Sequence, residues 1–157
     1  MLRFAILCCA TMLAFSAQAE TAGKAMFPRA DSCYARSYSA DHLAKHPVQR
    51  VTSIALRPQP GSAGDDMLVL RLSVALRGRA ETYVGYGYCE NLGKGQLACG
   101  VEGDGGTFVL TPAEGGAVLL IVGPDGISFE GTDDFQTLEG RTGDDRRFML
   151  QPASGCR

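Results

Sequence analysis

The chain has 157 residues, 45% of them hydrophobic, and a formal net charge of −2 at pH 7. The sequence contains no run of lysine or arginine and no basic stripe, which argues against nucleic-acid binding and against electrostatic attachment to a membrane. Its 20 glycines, many of them beside aspartate, and its lack of helical periodicity favour an all-β fold.

The first 19 residues have the pattern of a secretory signal peptide. They contain one basic residue, Arg3, then an apolar stretch from Phe4 to Phe15, and they end in Ala17-Gln18-Ala19. The apolar stretch is shorter than the roughly 20 residues that a membrane-spanning helix needs. Cleavage after Ala19 would remove Arg3, Cys8 and Cys9 and leave 138 residues, four cysteines and a formal charge of −3. We therefore expect a periplasmic or secreted protein without a membrane span.

The mature chain is predicted to begin with an extended leader over residues 20–32, followed by a single β domain over residues 33–157. The leader lacks periodicity and contains Pro28. One helix is predicted, in the first part of the domain. Ser39 is a suitable N-cap, and Pro47 ends the helix near His46 because a residue before proline disfavours helical backbone.

From Arg50 the pattern changes to strands. The segments RVTSIALRP and MLVLRLSVALRG are separated by a Pro-Gly turn, and the second segment alternates apolar and polar residues. A loop at residues 77–79 predicts a register in which Leu72, Leu70 and Leu68 face the core opposite Val84, Tyr86 and Tyr88. A register shifted by one residue would turn the tyrosines outward. We prefer the first because it also buries Val84, and we expect a bulge or the end of pairing at Glu102.

Residues 83–108, YVGYGYCENLGKGQLACGVEGDGGTF, predict a hairpin with a cross-strand disulfide. Cys89 and Cys99 are equidistant from Lys94, so a three-residue loop Gly93-Lys94-Gly95 places the two cysteines opposite each other. Directly opposed residues in an antiparallel pair are close enough for a disulfide.

Four cysteines in an exported chain allow three pairings, and Cys89–Cys99 leaves Cys33–Cys156 as the second bridge. That bridge would close a loop of about 120 residues, which is worth about 4 to 5 kcal/mol in the chain-entropy model.

Further strands are predicted to begin near Thr107, Ala117, Gly126, Phe135 and Arg146, with glycine turns between them. The turns at 112–116 and 123–126 are too short for crossover helices, so neighbouring strands should be antiparallel. About eight strands in a small domain predict a barrel or a two-sheet sandwich. We favour a closed meander because closure removes exposed sheet edges.

Two groups of residues have metal-ligand chemistry. His42 and His46 would lie on one helix face, but two ligands do not make a site and Leu43 stands where a zinc-protease helix needs its glutamate. Acidic residues stand beside glycine or in pairs, without calcium-loop spacing, at Asp65-Asp66, Glu102-Gly103-Asp104, Asp125, Asp133-Asp134 and Asp144-Asp145. We interpret them as turn residues, and the sequence predicts neither a metal site nor a cofactor.

The sequence does not predict an enzyme. It contains no Gly-x-Ser-x-Gly motif, and its cysteines are assigned to disulfides. A pair of acids for glycoside hydrolysis stays open, since that chemistry needs only two carboxyl groups at the right separation. Tyr83, Tyr86 and Tyr88 could form a ligand-binding stripe, but core packing against leucines is the stronger interpretation.

The tentative binding site is the hairpin tip, Gly93, Lys94 and Gly95. A loop held by a nearby disulfide loses little entropy on binding, and Lys94 could enter an acidic pocket, although a simple turn is the alternative. The expected architecture resembles small disulfide-stapled envelope proteins such as periplasmic lysozyme inhibitors. We therefore expect an exported, non-enzymatic binding or inhibitor-type module whose partner is an envelope or extracellular protein. A structural envelope protein and a hydrolase are the alternatives.

Overall fold

The computed structural model describes residues 21–62 and 67–156. The predicted signal peptide and Asp65-Asp66 lie outside these residues. Two α-helices are present in the described part of the chain, α1 (Ala22–Met26) and α2 (Ala40–Lys45), with a 3-10 turn at Glu114–Gly116. The nine strands are β1 (Cys33–Ser37), β2 (Val51–Pro58), β3 (Leu68–Leu76), β4 (Thr82–Gly93), β5 (Gln96–Val101), β6 (Gly106–Pro112), β7 (Val118–Glu130), β8 (Phe135–Leu138) and β9 (Arg147–Ala153).

Eight of the strands close an antiparallel barrel, as the sequence predicts. Strands β1 to β6 pair in chain order, β6 pairs with β7, and β9 lies between β7 and β1. The ninth strand, β8, is an outer arm that pairs with the second half of β7. Closure leaves the barrel strands without a free edge, which is the usual way in which small antiparallel sheets avoid edge-to-edge association.

The barrel interior is filled by one apolar cluster, with residues from alternate positions of each strand. Its largest fully buried side chains are Tyr83, Phe27, Phe108, Phe129, Phe148, Ile54, Leu56, Leu70, Leu72, Leu97, Leu110 and Leu120.

The preferred β3–β4 register is wrong by one residue. Leu70 lies opposite Gly87 and Leu72 opposite Gly85, so the glycines face the interior and Tyr86 and Tyr88 face outward. Phe108 and Phe129 explain this register, because their rings occupy the space that side chains on Gly87 and Gly85 would need. Of the two outcomes expected at Glu102, a bulge or the end of pairing, the structure shows the second: β5 ends at Val101, and only the Glu102 N–H still donates to the Tyr86 carbonyl.

Three local predictions differ from the structure. The leader is not extended throughout, because residues 22–26 form α1, with Thr21 as its N-cap, and bury Ala22 and Met26 against the barrel. Strand β1 was not predicted, since CYARS has no clear alternation. The strands expected on either side of residues 123–126 are one strand, β7, whose pairing with β6 jumps from Val122 to Ile127.

Helix α2 forms where it is predicted. The Ser39 side chain accepts a hydrogen bond from the His42 N–H, and His46 is the C-cap. The helix is held against the barrel at its carboxyl end, where the Arg77 guanidinium donates to the carbonyl oxygens of Leu43 and His46 at 2.9 and 3.1 Å. Cations at this end of a helix satisfy carbonyl groups that have no intrahelical partner.

Both predicted disulfides are present. Cys89 and Cys99 are cross-strand partners with Cα atoms 4.0 Å apart, and the bridge is buried in the core. Cys33 and Cys156 have Cα atoms 6.1 Å apart and join β1 to the segment after β9. Two disulfides indicate an oxidising, extracytoplasmic environment.

Candidate functional site

The tip of the β4–β5 hairpin is exposed and has an unusual backbone. Gly93 pairs with Gln96, so the turn itself consists of Lys94 and Gly95, and a register shift between Asn91 and Gly93 replaces the predicted three-residue loop. Three successive residues have positive φ: 91° at Gly93, 54° at Lys94 and 75° at Gly95. Among the described residues Lys94 is the one non-glycine residue with a positive φ.

A positive φ at both central residues defines the type I′ turn, which fits the twist of a hairpin but favours Asn, Asp or Gly at its first position. Lysine in this conformation costs about 1 kcal/mol, because its β-carbon crowds the following carbonyl. The hairpin below the tip is fixed by the Cys89–Cys99 bridge and by the Asn91 side chain, which accepts a hydrogen bond from the Gly93 N–H at 2.9 Å. Leu92, two residues before Lys94, is 56% exposed.

A side cavity of about 290 Å³ opens in the barrel wall where β4 changes partner. Strand β4 leaves β5 after the Gly87–Val101 pair and meets β7 at the Val84–Glu130 pair. The β5–β6 turn bounds the cavity between these two contacts. The residues that line it are Val84, Gly85, Tyr86, Val101, Glu102, Asp104, Gly105, Ser128, Glu130 and Phe135.

The side cavity is acidic and partly aromatic. The lining includes the carboxylates of Glu102, Asp104 and Glu130 and no basic residue, and Phe135 is 69% exposed at its edge. Glu102 and Asp104 form the turn that the sequence predicts, and Glu130, which no sequence pattern placed there, lies beside them. Knowledge of the β4–β7 pairing would have been needed, and no local pattern encodes it.

His42 and His46, at the carboxyl end of α2, form an aromatic stack with Tyr38. The rings of His42 and His46 lie 4.3 Å apart, and Tyr38 stacks on His42 at 4.7 Å. His42 Nε2 is 2.9 Å from the Gln49 Oε1 atom, and His46 Nδ1 is 3.4 Å from an Asp144 oxygen. No group of three or more His, Cys, Asp or Glu residues in the described parts of the chain could hold a metal ion.

The outward tyrosines contribute to two surfaces. Tyr86 lines the side cavity, and Tyr88, 40% exposed, borders a shallow groove over the outer faces of β4, β5 and β6. Tyr83 is fully buried instead. Burial raises the pKa of Tyr83 to about 12, and the carboxyl groups of Asp134 and Glu81 beside its hydroxyl act in the same direction. The core packing expected for the tyrosines therefore applies to Tyr83 and is wrong for Tyr86 and Tyr88.

Comparisons with known protein families, with curated protein sequences and with solved structures found no match to this chain. The fold itself defines the class of protein, which is an eight-stranded antiparallel barrel with two disulfides. No helix of residues 21–62 and 67–156 is long and apolar enough to span a membrane.

Proposed function

We propose that the chain is an exported, non-enzymatic binding module of inhibitor type, which acts in the periplasm or outside the cell through the tip of its β4–β5 hairpin. The signal-peptide pattern of residues 1–19 and the two disulfides support the location. The partner is a protein of the same compartment.

The backbone of Lys94 carries this proposal. A residue held in a disfavoured conformation is informative when a better residue is available, and Asn or Gly would form this turn without the cost. Within the described residues, no ion pair or hydrogen bond involves the Lys94 amine. A functional use of the Lys94 amine would explain why a lysine stands here despite the conformational free energy that its positive φ costs.

The geometry of the tip fits a partner with a concave acidic surface. Lys94 is exposed and stands between two glycines, so the residues next to it in the chain have no side chain that could cover its amine. The disulfide and the β4–β5 ladder already hold the loop, and ordering it on binding therefore costs little entropy. Leu92 adds apolar contact area beside the charge, as is common where a charged anchor enters a pocket.

Capture of partners from envelope and extracellular fractions on the immobilised mature domain tests the proposal. Wild type, Lys94→Glu and Lys45→Glu are used as parallel baits. Lys45 is exposed on α2, so its reversal controls for a general charge effect. We expect a protein that is retained by wild type and Lys45→Glu and lost by Lys94→Glu. Equal retention of a partner on all three baits would show that the binding surface lies elsewhere than at the hairpin tip.

One observation favours a second candidate, a hydrolase that uses a pair of carboxyl groups. Glu102, Asp104 and Glu130 meet in the side cavity, and glycoside hydrolysis needs two such groups. All three residues are exposed, however, and an acid catalyst is normally kept protonated by burial. Turnover of chromogenic glycosides that is abolished by Glu102→Gln or Glu130→Gln would support the hydrolase. If no partner is captured and no glycoside is turned over, the results would support a structural envelope role.

A further inference from the structure

Two arginines face each other on the outer wall of the barrel. Arg57 of β2 and Arg71 of β3 are direct cross-strand partners. Leu56 and Pro58 on one strand, and Leu70 and Leu72 on the other, are buried in the interior, so the alternation places both arginines on the outer face. Side chains of directly opposed residues start about 5 Å apart, and like charges at such positions destabilise a sheet.

Within residues 21–62 and 67–156, neither arginine has a partner that would offset this repulsion. No ion pair or hydrogen bond to a guanidinium of Arg57 or Arg71 occurs within the described residues, and Arg57 Nε and Arg71 Nη1 are buried without an acceptor. Most other arginines of the same chain have carbonyl, amide or carboxylate acceptors: Arg29, Arg50, Arg77, Arg79, Arg141 and Arg146. Among the described arginines, Arg57 and Arg71 are the two with a guanidinium nitrogen that is buried without an acceptor.

Among the described residues, the strand position beside Arg71 does not supply a charge of opposite sign. Tyr86 on β4 is the other cross-strand partner of Arg71. Arg57, Arg71 and Tyr86 therefore follow one another across the outer face of β2, β3 and β4. Glu102 follows Tyr86, where its N–H donates to the Tyr86 carbonyl at 3.0 Å, but its carboxylate forms no ion pair in the part of the chain that the structure describes.

We propose that Arg57 and Arg71 together form a binding site for an oxyanion, either a carboxylate or a phosphate-type group. A guanidinium presents its donors as a planar fork, and two forks on adjacent strands match the several oxygens of such an anion. A bound oxyanion removes the repulsion between the two cations and gives their free donors an acceptor. The site is independent of the hairpin tip, and it gives the barrel wall a role that the proposed function does not use.

The test is an NMR titration of the mature protein with inorganic phosphate and, separately, with acetate, each at constant ionic strength held with chloride. We expect saturable shifts of amide signals from β2 and β3 around positions 57 and 71 with at least one of the two anions. Saturable shifts with phosphate alone would indicate that the site binds a tetrahedral oxyanion. Saturable shifts with acetate alone would indicate that it binds a carboxylate of a polypeptide or small acid.

Arg57→Gln and Arg71→Gln are expected to weaken that binding at least tenfold, and the double lysine variant to weaken it severalfold, because lysine keeps the charge without the fork. Arg147→Gln is the matched control, since Arg147 is an exposed barrel arginine without an opposed arginine. Either glutamine variant suffices if the other does not fold. Absence of a saturable response to both anions in wild type, or an unchanged response in a folded glutamine variant, would overturn the proposal.

Discussion

Gly87 of β4 lies under the ring of Phe108, so that a β-carbon at position 87 would be 2.6 Å from Phe108 Cε1 and 2.7 Å from Cζ. This contact sets the register of the barrel wall. The glycine faces inward because the phenylalanine of β6 fills its space, and Tyr86 and Tyr88 are consequently turned outward. The outward position of Tyr86, which lines the side cavity, and of Tyr88 follows from this one packing choice.

Gly87→Ala is predicted to destabilise the fold by about 1 to 3 kcal/mol, because the added methyl group overpacks a core that is already filled. Gly100→Ala is the control. Gly100 is the outward-facing partner of Tyr88 on β5, and a β-carbon there meets nothing within 4 Å. Urea unfolding of both variants measures the difference. Equal stability of Gly87→Ala and wild type would mean that the register around Phe108 is wrong.

The two disulfides are predicted to contribute unequally to stability. In the chain-entropy model the Cys33–Cys156 bridge closes the far longer loop and is worth about 5 kcal/mol, against about 3 kcal/mol for Cys89–Cys99. Removing Cys33 and Cys156 together as alanines should therefore lower the free energy of unfolding more than removing Cys89 and Cys99. Guanidinium denaturation gives the order, and the reverse order would show that packing of the buried bridge outweighs loop closure.

Tyr83 is predicted to titrate well above the ordinary tyrosine pKa. Its pKa is raised to about 12, mainly by burial. The neutral phenol is favoured in the folded state, so its contribution to stability is complete below the ordinary tyrosine pKa near 10 and is lost as the pH rises towards 12. Ultraviolet titration of tyrosinate should show a component near pH 12 that Tyr83→Phe removes. Persistence of that component in Tyr83→Phe would assign it to another tyrosine.

Asp145 is predicted to stabilise the start of β2. Its two carboxylate oxygens accept hydrogen bonds from the Arg50 and Val51 N–H groups at 2.6 and 3.1 Å, and the residue is 6% exposed. Asp145→Asn leaves only one acceptor oxygen for two donors and should cost about 1 to 3 kcal/mol. Asp133→Asn, at an exposed turn position, should change the free energy of unfolding by less than about 0.5 kcal/mol.

The pH dependence of the stability change in Asp145→Asn follows from the direction in which the Asp145 pKa is shifted. Burial raises the pKa, although both backbone hydrogen bonds oppose the shift. The folded state then retains the proton longer than the unfolded state, so stability falls as the pH rises from about 4 towards the raised pKa. The cost of Asp145→Asn should therefore be larger in acid than at neutral pH. Denaturation from pH 3 to 7 measures this trend, and a cost that grows with pH would contradict it.

Local residue patterns predicted the parts of the fold that local physics decides. Hairpin symmetry about Lys94 gave the Cys89–Cys99 pairing, and Ser39 with Pro47 gave the bounds of α2. The alternating sequence YVGYGY has the right period for a strand but does not say which face is buried. That choice depended on Phe108 and Phe129, which lie on strands far away in the sequence.

The candidate sites were predicted less completely than the fold. Exposure of Lys94 follows from its place between two glycines, and the structure adds the strained backbone that distinguishes it from an ordinary turn residue. The side cavity and the Arg57–Arg71 pair depend on strand partners, and each becomes visible only when the register is known. A sequence shows that these residues are polar and outward, but not that they meet.

Lys94→Asn is predicted to stabilise the fold by about 0.5 to 1 kcal/mol, because asparagine tolerates a positive φ at the first position of this turn. Urea unfolding measures this gain. A loss of stability would mean that the lysine side chain supports the fold itself, and the reason for assigning it to a partner would disappear.

The dissociation constant of the captured partner for wild type and for Lys94→Asn is the most direct test of the account. We predict that the substitution raises the dissociation constant at least tenfold, equivalent to about 1.4 kcal/mol, although the variant is the more stable protein. Lys45→Asn should bind as wild type does. A Lys94→Asn variant whose dissociation constant stays within about twofold of wild type would contradict the assignment of partner binding to the hairpin tip.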